Sequence, residues 1–322
     1  MGVPDLRRSG CGRRHTGGGR GPGKGQKVGE GPSALVEWRR SMGREARPRM
    51  TLPTPSGAAY GPRGKGGGYE GGKGDVEIPP YRLSSLIYDR LVGEVLHQLW
   101  MENFERLARR YELELDRVAD VACGTGLATA YLARRGSRVI GVDRSEEMLR
   151  LAAARLRGCA RVALIRQDMR YLYLPWKVRT LLCATDSLNH LLDVEDVQRA
   201  ASSFARALEA GGRLLFDVNT AYQLREGGDD AEWSFGIEGW RLTWRSEWEE
   251  ATSTATLTMR LEREEGGEGG WVEVHRERAY PAELLVTLLE GAGFRKVEVL
   301  DSAGLGKPGA RTRRLQFVAV RG

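Results

Sequence analysis

Val118-Ala119-Asp120-Val121-Ala122-Cys123-Gly124-Thr125-Gly126 decides how this chain folds. Five residues of strand character run into two glycines. Leu127 to Arg135 then carries a helical pattern closed by Gly136. Strand, glycine turn and helix form the opening unit of a parallel α/β sheet, and two glycines there let backbone approach a ligand closely. On its own, Gly-x-Gly serves a dinucleotide, another nucleoside or only a tight turn.

Downstream, Arg138 to Asp143 reads as the next strand. Ser145 caps a helix whose first turn holds Glu146 and Glu147, where the positive end of the helix dipole favours acids. Arg161–Arg166, Val178–Ala184 and Arg213–Val218 read as further strands. Between the last two, Asp193 caps a helix with Val194, Val197, Ala201, Phe204 and Leu208 as its apolar stripe, ended by Gly211-Gly212. Upstream, Leu83, Leu86, Ile87, Leu91 and Val95 predict one or two helices across 82–111. This alternation predicts a parallel sheet covered on both faces.

Residues 220–280 break the rhythm. Trp240, Leu242, Trp244, Ser246 and Trp248 alternate with polar residues, as do Ala255, Leu257, Met259 and Leu261; Val272 and Val274 follow a glycine turn. These predict half-buried antiparallel strands inserted after the fifth strand. A helix at 282–292, ended by Gly293, and strands at Val297–Leu300 and Leu315–Val320 complete the domain.

The ligand is narrowed by what surrounds the turn. Thr129 stands where a dinucleotide fingerprint has its third glycine. Asp120 places a carboxylate beside the turn, which repels a diphosphate and suits an ammonium or sulfonium. Asp143 closes the second strand 17 residues after Gly126, placed to accept hydrogen bonds from ribose hydroxyls. Asp168 and Met169 end the third strand, where they can meet an exocyclic amine and a base. Thr185-Asp186-Ser187-Leu188-Asn189-His190 follows the fourth, at the edge where ligands of open α/β sheets bind.

These motifs, in this order, resemble the class I S-adenosylmethionine-dependent methyltransferases over about residues 80–322. The resemblance implies a Rossmann-like seven-stranded sheet of order 3-2-1-4-5-7-6 with strand 7 antiparallel, and S-adenosyl-L-methionine as cofactor. It implies a methionine site at Ala122, Cys123, Gly124, Thr125 and Gly126, with Asp120 beside it. Asp143 would bind the ribose, with Arg144 and Met148 next to it, and Asp168 with Met169 the adenine. Thr185 and Asn189, and Tyr81 and Tyr88 upstream, look like those of bacterial small-molecule methyltransferases. The insertion resembles a cover over the acceptor site. No Asn/Asp-Pro-Pro-Tyr motif follows the fourth strand, which argues against methylation of a base exocyclic amine.

The expected reaction is methyl transfer to N or O of a small molecule by in-line displacement. His190 is the candidate general base where the acceptor is protonated at neutral pH, with His275 a weaker one. An NAD-dependent oxidoreductase and an RNA methyltransferase are the alternatives. Five tryptophans, Trp233, Trp240, Trp244, Trp248 and Trp271, are expected to fill the core of the inserted sheet, with one or two walling the acceptor. Arg241 and Arg245 read as a wet strand face that could also pair an acidic substrate.

The formal charge is +7, but residues 1–75 hold 15 Lys and Arg against 6 Asp and Glu, and residues 76–322 hold 35 against 37. A −2 domain attracts phosphates weakly, so nucleic acid is not the expected partner. The first 75 residues, with 21 of 43 glycines, predict a disordered tail. The tail lacks Arg-Gly-Gly repeats and any motif, and reads as an over-extended start, the true one lying near Met50 or Val76. Four cysteines without metal spacing and four scattered histidines predict no metal and a reduced, cytoplasmic setting. No apolar run reaches the ~18–20 residues of a membrane span.

Overall fold

The computed structural model describes residues 74–227, 232–237, 239–263 and 269–322; the side chains of 86–88, 90–99, 227, 233, 235 and 237 lie outside that description. The expected tail lies outside it too, save Gly74 and Asp75. Strand β1 (Val76–Ile78) precedes one continuous helix, α1 (Ser84–Arg110).

Strand β2 (Arg117–Val121) is buried on both faces, with Val118 and Ala119 fully so. Such a strand belongs in the middle of a covered parallel sheet. The glycine turn leads into α2 (Leu127–Arg134), and then come β3 (Arg138–Asp143), α3 (Glu146–Arg155), β4 (Val162–Arg166) and β5 (Val178–Cys183). Ser145 caps α3, its hydroxyl accepting from Met148 N–H at 3.2 Å. Next are α4 (Val194–Ala207), β6 (Leu208–Asn219) and α5 (Ala221–Gly227).

The inserted strands are β7 (Glu232–Ile237), β8 (Trp240–Glu249), β9 (Thr254–Arg263) and β10 (Trp271–Arg278). Helix α6 (Ala282–Gly291), β11 (Phe294–Asp301) and β12 (Arg314–Arg321) follow. The main sheet runs β4-β3-β2-β5-β6-β12-β11. Counted along the chain within that sheet, this is the expected 3-2-1-4-5-7-6. Its first five strands are parallel, and β12 is antiparallel to both neighbours.

Alternation along each strand assigns the two faces. Ala119 and Leu181 pack in the cluster that holds Phe204 of α4 and Leu285 of α6. Val118 and Leu182 pack with Phe104 of α1 and Leu132 of α2. Helices therefore cover both faces. Among the described residues, no helix is long and apolar enough to cross a membrane.

Four details differ from the sequence reading. The second sheet, β1-β10-β9-β8-β7, is antiparallel as expected but gains β1, which pairs in parallel with β10. Asp75 accepts from Arg260 Nε and Nη2, both at 3.0 Å, so the upstream segment is fastened to the inserted sheet. Helix α4 ends at Ala207 rather than at the glycines, because fully buried Leu208 already pairs with Val178 of β5. Asp193 stands at the N-cap of α4 without a side-chain capping bond.

Candidate active site

A cavity of about 310 Å³ opens where β2, β3, β4 and β5 end, roofed by β8, β9 and β10. Its main-sheet wall includes Ala122, Gly124, Asp143, Arg144, Met148, Asp168, Met169 and Thr185. Gly124 has φ +54°, and a Cβ there would meet no protein atom within 4 Å. Because Gly124 also lines the cavity, its missing side chain leaves a cradle for a ligand.

Asp143 organises this wall. Its Oδ2 accepts from Gly124 N–H at 2.9 Å and its Oδ1 from Ser145 N–H at 2.8 Å. Each carboxylate oxygen accepts twice, so both keep a lone pair for a ligand hydroxyl. Burial pushes its pKa up against those two N–H groups. Asp168 takes Arg170 N–H and Nε on Oδ1, both at 2.9 Å, and Nη2 on Oδ2 at 2.7 Å. That clamp holds its pKa below the usual carboxylate range and leaves Oδ2 able to accept once more.

Other expected site residues stand behind the wall. Asp120 is 2% exposed and accepts from the Thr129 hydroxyl. The threonine in place of the third glycine thus serves this buried acid, whose pKa burial raises to about 6. Cys123 is a buried thiol. Thr125 donates to Asp89 Oδ1 at 2.6 Å, tying the turn to α1. Gly126 caps α2 at φ +78°, where a Cβ would lie 3.0 Å from Ala152 Cβ, so its task is packing α2 on α3. Asn189 is fully buried; its Nδ2 donates to Asn219 O and Arg278 O, and its Oδ1 accepts from Asn219 N–H. It clips three segments together and is not on the cavity wall. The Tyr88 side chain lies outside the described residues.

The roof joins Tyr81, Trp244 and His275, which the sequence reading marks, to Ser84 and Glu277, which it does not. Tyr81, Ser84, Trp244, Met259, His275 and Glu277 line the cavity together with His190. Tyr81 precedes α1 rather than lying in it. Tyr81, Ala122, Thr185 and Asp186 are non-glycine residues at positive φ, 66°, 56°, 56° and 54°, and all four line the cavity. Backbone strain of this kind gathers at functional sites.

His190 Nδ1 lies 3.1 Å from Arg276 O, a group that only accepts, so Nδ1 carries the proton. Nε2 then accepts from the Tyr81 hydroxyl at 2.7 Å. Burial lowers the His190 pKa to about 4, so the ring is neutral at pH 7. Fully buried Glu273 accepts from the N–H groups of Tyr81, Leu83 and Ser84, from Ser84 Oγ and from His275 Nε2. Burial pushes its carboxyl up, but the His275, Ser84 and Leu83 bonds outweigh this and hold it low. The start of α1 is thereby pinned to β10.

The structure sharpens two readings of the insertion. The face of β10 that carries Glu273, His275 and Glu277 is turned to the site, and His275 and Glu277 line the cavity. Three titratable residues at period two were the readable sign. Arg241 and Arg245 share the opposite face of the sheet with Glu232 and Thr243 and do not line the cavity. Trp240 stacks on Trp271 at 5.2 Å in the core of the insertion, as expected, and Trp244 supplies the aromatic wall. The Trp233 side chain lies outside the described residues.

The residues present fit S-adenosylmethionine: an open cradle at Gly124, free acceptor positions on Asp143 for a diol and on Asp168 for an amine, and Met169 beside them. Comparison with known proteins agrees. A family model described as "Methyltransferase domain" matches residues 118–212. YqeM of Bacillus subtilis (strain 168), a methyltransferase by name, is 28% identical over 242 residues, covering 74% of this chain and 96% of that protein. A dTDP-3-amino-3,4,6-trideoxy-alpha-D-glucopyranose N,N-dimethyltransferase of Streptomyces venezuelae is 33% identical over 111 residues, 34% of this chain and 46% of that protein. The fold is shared with an S-adenosylmethionine-dependent methyltransferase from Clostridium acetobutylicum ATCC 824, with TM-score 0.65, 24% identity, and coverage of 75% of this chain and 99% of that one. With the sheet order and the glycine turn, these likenesses support a class I S-adenosylmethionine-dependent methyltransferase.

Proposed function

We propose that the enzyme methylates a nitrogen or oxygen of a small molecule held beneath β8, β9 and β10. The observation that carries this is a single cavity whose one wall is Gly124 and Asp143 and whose other is Trp244, Met259, His275 and Glu277. The roof of Trp244, Leu257, Met259, His275 and Glu277 over this cavity suits a small acceptor rather than a polymer. The Streptomyces venezuelae relative, named for an amino sugar, supports that reading.

S-adenosylmethionine supplies a methyl group already activated on a sulfonium, so alignment does most of the work. Asp143 binds the ribose diol, Asp168 and Met169 the adenine, and the turn backbone at Ala122–Gly124 the methionine part, with Arg144 and Met148 alongside. His190 works through Tyr81. Its Nε2 holds the phenolic proton, which turns a Tyr81 oxygen lone pair toward the acceptor. The three described cysteines are free thiols, which supports the expected reducing, cytoplasmic setting.

Calorimetry against S-adenosylmethionine and NAD, followed by a labelled-methyl acceptor screen, tests the proposal. Tight NAD binding without S-adenosylmethionine binding overturns it, and so does transfer to RNA but to no metabolite class.

A further inference from the structure

Glu277 has no part in the mechanism above, yet it stands on the cavity wall beside Tyr81, His190 and His275. Only one of its oxygens is held: Oε2 accepts from Asn219 Nδ2 at 2.9 Å, and no described residue donates to Oε1. The same Asn219 amide also donates to Asp186 Oδ2 at 2.7 Å. Arg314, the cation next to this group, is committed elsewhere. Its Nη2 donates to Asp186 at 2.6 Å and its Nη1 to Asp217. Glu277 is therefore a cavity-facing carboxyl with an open oxygen and no cation of its own. The apolar side chains of Trp244, Leu257 and Met259 lie on the same roof and keep the surroundings poorly solvated.

We propose that the acceptor is an amine that enters protonated, and that Glu277 receives its nitrogen. This rests on the methyltransferase reading and names the acceptor class within it. An ammonium beside an ionised Glu277 forms a charge-assisted hydrogen bond. It can then pass one proton across: the N–H bond breaks, its electron pair stays on nitrogen, and an O–H bond forms on Glu277. The neutral amine left behind has the lone pair that methyl transfer requires.

The groups facing Glu277 agree with this exchange. Burial and then the neighbouring Asp186 raise its pKa to about 8, against the Asn219 hydrogen bond and the Arg314 charge. A carboxylate so disposed holds a proton much better than an ordinary one and better than neutral His190.

Two cofactor analogues test the idea without knowledge of the acceptor. Sinefungin carries an amine-bearing carbon where the cofactor carries its methyl sulfonium. S-adenosylhomocysteine has the same skeleton without that amine. Titration calorimetry at pH 7, in buffers of different ionisation enthalpy, reads affinity and proton release together. Sinefungin is expected to bind at least about tenfold tighter than S-adenosylhomocysteine and to release up to about one proton from Glu277. In Glu277→Gln both differences should vanish while S-adenosylhomocysteine affinity stays within about threefold, which also shows the variant to be folded. Equal behaviour of the two ligands in the unsubstituted enzyme overturns the amine proposal, as does a difference that survives Glu277→Gln. Failure of both ligands to bind overturns the methyltransferase reading instead.

Discussion

Gly124→Ala and Gly126→Ala are expected to fail in opposite ways. Both glycines have positive φ, +54° and +78°, so an alanine at either costs about 1–2 kcal/mol in backbone strain. There the similarity stops. A Cβ at Gly124 meets no protein atom within 4 Å, and Gly124 lines the cavity in which the cofactor is proposed to bind. A Cβ at Gly126 lies 3.0 Å from Ala152 Cβ and 3.2 Å from Ala152 Cα, where backbone cannot yield easily. Overpacking of this kind adds roughly 1–3 kcal/mol.

Gly124→Ala should therefore lower the melting temperature by only about 2–8 °C, at roughly 2–4 °C per kcal/mol for a domain of this size. Gly126→Ala should lower it about twice as far. Affinity for S-adenosylmethionine should show the reverse order. The Gly124→Ala dissociation constant should rise at least about tenfold, or about 1.4 kcal/mol, and that of Gly126→Ala by clearly less. Differential scanning fluorimetry and titration calorimetry on both variants give the two orders. If Gly124→Ala binds as well as the unsubstituted enzyme, or if Gly126→Ala loses more affinity while melting higher, the placement of the cradle is wrong.

Three further outcomes are expected. Asp143→Ala should weaken S-adenosylmethionine binding by about 1.5–3 kcal/mol, the range for lost hydrogen bonds to a charged group; an unchanged dissociation constant refutes the ribose role. Asp120 has a folded pKa of about 6, well above an ordinary carboxylate, so the native state binds more protons than the unfolded chain from about pH 4 to pH 6. Its stabilising contribution is present below that window and lost as pH rises through it, by roughly 3 kcal/mol; urea unfolding of Asp120→Asn should lack this slope, and an unaltered slope contradicts the assignment. Tyr81→Phe should lower kcat about 10²-fold with S-adenosylmethionine affinity intact, whereas normal turnover would remove Tyr81 and His190 from acceptor positioning.

How far the chain could be read depended on the range of the interactions involved. The strand, glycine turn and helix at 117–134, the Ser145 cap and the acid closing β3 rest on neighbours a few residues apart, and the structure keeps them all. Asp143 and Asp168 both line the cavity, as expected of strand ends that share one edge of a parallel sheet. Asn189 was expected at the site for the same reason. It stands at that edge, but its partners Asn219 and Arg278 are 30 and 89 residues away, and they bury it. Asp120 likewise looked like a ligand group until Thr129 proved to be its partner.

The sequence by itself determined the covered strands and the antiparallel character of the insertion, because hydrophobic period and glycine placement are local; the sheet order followed from the family resemblance that the motifs carry. Only the tertiary structure decided which residues line the cavity beneath the inserted strands. Tyr81 reaches His190 across 109 residues, and Glu273 grips the start of α1 across 189 to 192. Parallel pairing of β1 with β10 folds that segment onto the roof, and Glu277 comes to the same wall from β10. Contacts of that span arise where the inserted sheet roofs the strand ends of the main sheet, and no local pattern encodes them.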